Sequence, residues 1–105
     1  MITRALTRIE VETSLADAQT EILGLGVRRL ALFGSVQRDT ARPDSDVDVL
    51  VEFQPGQKSY DHFFALGDLL ERLLSRPVDL VTVEALSPFL KPYILAEAQD
   101  VVRAA

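Results

Sequence analysis

The spacing of apolar residues in the first third of the chain changes from helical to strand-like after Gly26. The helical set is Leu15, Ala18, Ile22 and Leu25. This spacing predicts a helix within residues 3–25 (Thr3 to Leu25), with a second start near Thr13 as an alternative. The run from Arg28 to Phe33 is apolar on both faces, which predicts a central strand. Gly24 and Gly26 separate the two elements, because glycine commonly ends a helix.

The second half of the chain repeats the same alternation. Ser59 caps a predicted helix that reaches about Ser75, with a buried stripe at Phe63, Leu66, Leu70 and Leu73. Val78 to Val83 is predicted as a strand. Ser87 and Pro88 predict the start of a last helix that continues to about Ala98, with a restart at Pro92 as an alternative. Val101 and Val102 are weakly predicted as an edge strand.

Two acidic residues stand at the start of a strand predicted for Asp46 to Phe53. Asp46 and Asp48 point to the same face because side chains alternate along a strand. Their Cα atoms would be about 6.5 Å apart, close enough for both carboxylates to share a metal cluster. Buried acids are costly unless a positive charge lies beside them. The pattern therefore predicts divalent-cation binding.

A glycine and a serine follow the preceding strand. Gly34 permits a tight turn and a close approach by a ligand. Ser35 offers a hydroxyl and a backbone N–H, and Arg38 follows one turn later with its guanidinium group. This arrangement predicts phosphate binding by Gly34, Ser35 and Arg38. Opposite a pair of carboxylates, it is typical of phosphoryl or nucleotidyl transfer.

Composition limits the remaining possibilities. The 105 residues fit a single domain spanning 1–105. The net charge of −5, without a basic stripe, argues against direct nucleic-acid binding. No cysteine is present, which excludes disulfides and thiolate metal sites. Neither a membrane-spanning run nor a signal peptide is recognisable, so a cytoplasmic location is expected.

The two motifs together resemble the signature of the DNA polymerase β-type nucleotidyltransferases. The run GSVQRDTARPDSDVDVLVEF is similar to the minimal nucleotidyltransferases of prokaryotes, the antitoxins of HEPN/MNT toxin–antitoxin pairs. Where that family usually has glycine after the arginine, this chain has Asp39, which places another acid near the phosphate-binding turn. The resemblance implies an α/β (α+β) fold: a small mixed β-sheet of three or four strands with helices packed on one face.

The resemblance also implies a reaction. Asp79 matches the family's third acidic residue, and it would activate the attacking hydroxyl. Asp46, Asp48 and Asp79 would hold Mg²⁺, with two ions expected. AMP would pass from ATP to a hydroxyl, a tyrosine of a HEPN-domain toxin. The alternative is a catalytically silent antitoxin that neutralises its partner by contact alone. Base preference, acceptor identity and oligomeric state, whether homo- or hetero-oligomer, stay open.

Other polar and aromatic residues are interpreted structurally. His62, the only histidine, is expected to have a surface role. Arg42 is expected to be solvated in its loop. Phe89, Tyr93 and Ile94 are interpreted as core, with a partner surface as the alternative for any that are exposed.

Overall fold

A computed structural model describes residues 4–105. They form a four-stranded mixed sheet, with strand order β3-β2-β1-β4, and the helices packed on it. The strands are β1 (Val27–Phe33), β2 (Val47–Phe53), β3 (Val78–Thr82) and β4 (Gln99–Arg103). The helices are α1 (Arg8–Asp17), α2 (Gln19–Leu23), α3 (Gly34–Gln37), α4 (Tyr60–Leu74) and α5 (Lys91–Glu97), and a 3₁₀ helix spans Val83–Ala85. This arrangement confirms the predicted fold class.

The pairing of the strands decides which functional residues meet. β1 is central and pairs antiparallel with both β2 and β4, as its apolar faces predicted. β3 pairs parallel with β2, and α4 connects the two. This crossover is the kind of connection that a parallel pair requires. The sheet therefore brings the first, second and third predicted strands side by side.

Helices cover the two faces of the sheet unequally. Val47, Val49 and Val51 of β2 lie in the main core with buried residues of α1 and α4. Of the predicted stripe of α4, Leu66 and Leu70 are buried there, and Phe63 and Leu73 are partly buried against the same core. Leu69 and Leu74 are also buried. The opposite face carries a smaller cluster at Ala31, Phe33 and Leu50, against which Ile94 of α5 packs. Within residues 4–105, the helices are too short or too polar to cross a membrane.

The first helix is shorter than its sequence spacing predicted. It begins at Arg8 because Thr7 and Glu10 form a capping box, in which each side chain accepts a hydrogen bond from the other residue's backbone N–H. The break lies at Ala18, not near Thr13. Thr3, where the predicted helix started, lies outside the described residues.

The C-terminal quarter also differs in detail. The last helix begins at Lys91 with Pro92 in its first turn, so the restart at Pro92 was the better alternative. β4 is longer than the predicted Val101–Val102 pair. Phe89 and Tyr93 are 85% and 75% exposed, so their interpretation as core was wrong. The short α5 turns Ile94 toward the sheet, which leaves Tyr93 in solvent, and Phe89 lies in the exposed turn before the helix.

Candidate active site

Two of the predicted acidic residues are direct neighbours across the sheet. Asp48 of β2 is the register partner of Asp79 of β3. Partners in register share a face of the sheet, so both carboxylates lie on the same side. Asp46 precedes β2 by one residue and shares that face by strand alternation. The parallel pairing therefore brings Asp79 beside the acidic pair.

The glycine–serine turn lies directly against Asp48. Phe33, the last residue of β1, is the register partner of Asp48, and Gly34 follows it with φ +77°. A Cβ on Gly34 would overlap Oδ2 of Asp48 and lie 2.9 Å from its Cγ. Glycine is therefore required at this position for both conformation and space. Ser35 lies in the first turn of α3.

The environment of Asp48 shifts the pKa of its carboxyl group. Burial first, and then the negative charges of Asp79 and Asp46, raise the pKa of Asp48 to about 6. The guanidinium of Arg38 opposes this rise, and the carboxylate of Glu97 adds to it. A half-buried carboxyl group with a raised pKa beside other acids is typical of a site that accepts a cation.

Arg38 has a partner that the sequence did not predict. Its Nη1 forms an ion pair with Oε1 of Glu97, the last residue of α5. Oε2 of Glu97 accepts a hydrogen bond from the backbone N–H of Gly34 at 3.2 Å. No sequence signal points to Glu97, because 59 residues separate it from Arg38. The contact arises only because the chain returns to pair β4 with β1.

Asp39 does not add a free acid to the glycine–serine turn. Its φ is +58°, a left-handed conformation that glycine adopts most easily and aspartate tolerates. This explains why glycine suits the position in the family that the chain resembles. The Oδ1 atom of Asp39 accepts a hydrogen bond of 2.8 Å from the backbone N–H of Arg8. Its negative charge therefore stabilises the N-terminus of α1.

The remaining polar candidates have structural contacts. Nδ1 of His62 lies 2.5 Å from the carbonyl oxygen of Gln57, and the backbone N–H of His62 donates to Oγ of Ser59, the cap of α4. Arg42 is exposed in its loop. The backbone N–H of Arg42 donates to Oγ of Ser45. These contacts agree with the structural roles expected for both residues.

The acidic residues suit a hard cation such as Mg²⁺, although they do not form a closed cage. Over residues 4–105, no three carboxylate or imidazole groups converge closely enough to enclose a metal ion. Mg²⁺ commonly needs only one or two protein carboxylates, because water and substrate phosphates complete its coordination. The negative charge around Asp48 and its raised pKa fit that kind of site.

Comparison with known proteins identifies the family. The family model for the nucleotidyltransferase domain matches residues 14–101 of this chain. The chain belongs to this family. A nucleotidyltransferase is therefore the class of enzyme, as the sequence motifs predicted. The matched region includes the glycine–serine turn and Asp46, Asp48 and Asp79.

Individual nucleotidyltransferases are similar over most of their length. The protein adenylyltransferase MntA of Thermococcus cleftensis is 39% identical over 93 residues, which cover 88% of this chain and 93% of that protein. A solved structure described as a minimal nucleotidyltransferase is 36% identical, with a TM-score of 0.69 over 84% of this chain and 93% of that one.

A third similarity concerns the fold alone. The complex of a tri-AMPylated HEPN toxin of Shewanella oneidensis with its MNT antitoxin contains a chain that is 17% identical. The TM-score is 0.63 over 93% of this chain and 74% of that one.

Proposed function

We propose that this nucleotidyltransferase transfers AMP from ATP to a tyrosine hydroxyl of a HEPN-domain toxin and so acts as its antitoxin. The observation that carries the proposal is the register pairing of Asp48 with Asp79 beside Gly34. The name of the Thermococcus relative supports adenylyl transfer to a protein. The AMPylated toxin in the Shewanella complex supports the class of partner.

The residues of the chain have separate roles in this reaction. The backbone N–H of Gly34, Ser35 and the guanidinium of Arg38 bind the β- and γ-phosphates of ATP. Asp46, Asp48 and Asp79 would hold Mg²⁺, and we expect two ions. Their positive charge would offset the negative charge of the triphosphate. Asp79 is the sheet partner of Asp48 and lies on β3, an edge strand. Because its side chain is exposed, it is available to an acceptor that approaches this edge of the sheet.

The covalent step follows from these roles. Asp79 accepts the proton of the acceptor hydroxyl, whose oxygen then bonds to the α-phosphorus of ATP. The bond between the α-phosphorus and the bridging oxygen breaks, and pyrophosphate leaves from the side of Gly34 and Arg38. The product is an AMP ester on the acceptor. Its added negative charge repels RNA from the toxin's active site, which makes the modification itself inhibitory.

Mass spectrometry of this chain co-expressed with a HEPN-domain partner tests the proposal. We expect an AMP-sized adduct on the partner with the natural sequence and none with Asp79→Asn. Asp79 is exposed, so this variant should fold. Asp17→Asn is the matched control, because it removes the same charge from an exposed position on α1, and its adduct should persist.

Two results would contradict the proposal. An adduct that survives Asp79→Asn would remove Asp79 from the reaction. A partner that is inactive but carries no adduct with the natural sequence would favour neutralisation by contact alone.

A further inference from the structure

The carboxylate of Glu97 occupies the groups that the proposed reaction assigns to phosphate. Its two oxygens are divided between them: Oε2 accepts the Gly34 N–H at 3.2 Å, and Oε1 pairs with Nη1 of Arg38. A phosphate group would use its own oxygens on these donors in the same way, because both donors prefer an anion. Glu97 and a bound triphosphate therefore cannot use them together.

The surroundings favour a persistent contact. The Glu97 side chain is only 24% exposed, whereas that of Arg38 is 53% exposed. Partial burial of the carboxylate reduces its screening by water. Its charge also acts on Asp48, whose pKa it helps to raise. The structure thus holds a fourth acid beside the three aspartates.

The backbone next to Glu97 restricts how the contact can open. Ala98 ends α5, and Gln99 already pairs with Leu32 of β1. The backbone on that side is anchored to the sheet. Release of Gly34 and Arg38 therefore requires rotation of the Glu97 side chain, which costs little conformational energy.

We infer that Glu97 is an internal competitor for the nucleotide, which occupies the phosphate-binding donors until a triphosphate displaces it. This inference rests on the proposed function, since it concerns the same Gly34 and Arg38. Displacement exchanges one carboxylate for a polyanion with more oxygens. The contact therefore lowers the affinity for a nucleotide that needs Gly34 and Arg38, and it leaves the affinity for adenosine, which has no phosphates, unchanged.

Calorimetric titration of the full chain with ATP and Mg²⁺, without an acceptor, tests the inference. Glu97→Gln keeps the shape of the side chain but removes its charge. We expect it to bind ATP about five- to tenfold more tightly than the natural sequence, the size typical of a lost charge-assisted contact. Binding of adenosine should be the same for both proteins.

Two further variants complete the design. Glu97→Asp keeps the charge but is one methylene shorter, so it should be unable to contact Gly34 and Arg38 together and should also bind ATP more tightly. Glu84→Gln is the matched control. Glu84 likewise forms an ion pair, with Lys58 at 2.9 Å, and its replacement should leave ATP affinity unchanged.

The outcomes separate this inference from the proposed function. If the natural sequence binds ATP and both Glu97 variants bind it equally or more weakly, Glu97 instead positions the turn, and the inference is wrong. If Glu84→Gln tightens binding as much as Glu97→Gln, the effect is one of net charge and the inference again fails. If no variant binds any nucleoside triphosphate, the proposed function itself is wrong.

Discussion

Replacement of Asp48 by asparagine should stabilise the fold at neutral pH. Burial and two neighbouring aspartates raise the pKa of Asp48 from 3.8 to about 6. A carboxyl group whose pKa is higher in the folded than in the unfolded protein is destabilising when ionised. The destabilisation is absent below the unfolded pKa, grows between the two values, and is complete above about pH 6. Asparagine removes the charge while it keeps the shape.

The magnitude follows from the two pKa values. A rise from 3.8 to about 6 corresponds to about 3 kcal/mol for a group fully shielded from water. Asp48 is only half-buried, so solvent screening reduces this to about 1–1.5 kcal/mol. We therefore expect Asp48→Asn to raise the free energy of unfolding by that amount above neutrality. Near pH 4, just above the unfolded pKa, the gain should fall to about 0.5 kcal/mol.

Urea denaturation above neutrality and near pH 4, in a buffer without divalent cations, measures this gain in the free energy of unfolding. Asp44→Asn is the control, because Asp44 is exposed in the loop before β2, and it should change stability little at either pH. Loss of stability in Asp48→Asn above neutrality would refute the electrostatic argument. So would a gain of equal size at both pH values, since a packing effect does not titrate.

Two further predictions use matched substitutions. Gly34→Ala should lower the free energy of unfolding by about 2–4 kcal/mol, because positive φ is strained for alanine and its Cβ would overlap Asp48. Gly56→Ala has the same φ of +77°, and no atom of residues 4–105 lies within 4 Å of the added Cβ, so urea denaturation should show only the strain, about 1–2 kcal/mol. Equal losses in the two variants would contradict the overlap. Calorimetry should show that ATP binds more weakly without Mg²⁺ than with it, because the acidic site repels the phosphates. Asp46→Asn should reduce that difference, and equal affinities for the natural sequence in both buffers would refute metal binding at this site.

Local patterns determined the elements and the two main motifs. The leucine stripe of α4 and its Ser59 cap predicted that helix closely, because amphipathic spacing and capping are properties of neighbouring residues. The apolar run of β1 predicted its central place, because a strand covered on both faces needs apolar residues on both. Gly34 and the Asp46–Asp48 pair could be singled out because turn geometry and strand alternation act over a few residues. The start of α1 carries a local signal, the Thr7–Glu10 capping box, which the spacing of apolar residues does not reveal. The exposure of Tyr93 depends instead on how α5 docks on the sheet.

Contacts between distant segments were decided only by the tertiary structure. The sequence alone showed that Asp79 interrupts an apolar strand, and the parallel register placed it beside Asp48. Glu97 carries no local signal, and it reaches Gly34 and Arg38 because β4 pairs with the far edge of β1. The conformation of Asp39 and its bond to Arg8 likewise depend on where α1 packs. Residue spacing encodes local geometry, whereas the environment of a charge depends on which distant strands and helices surround it.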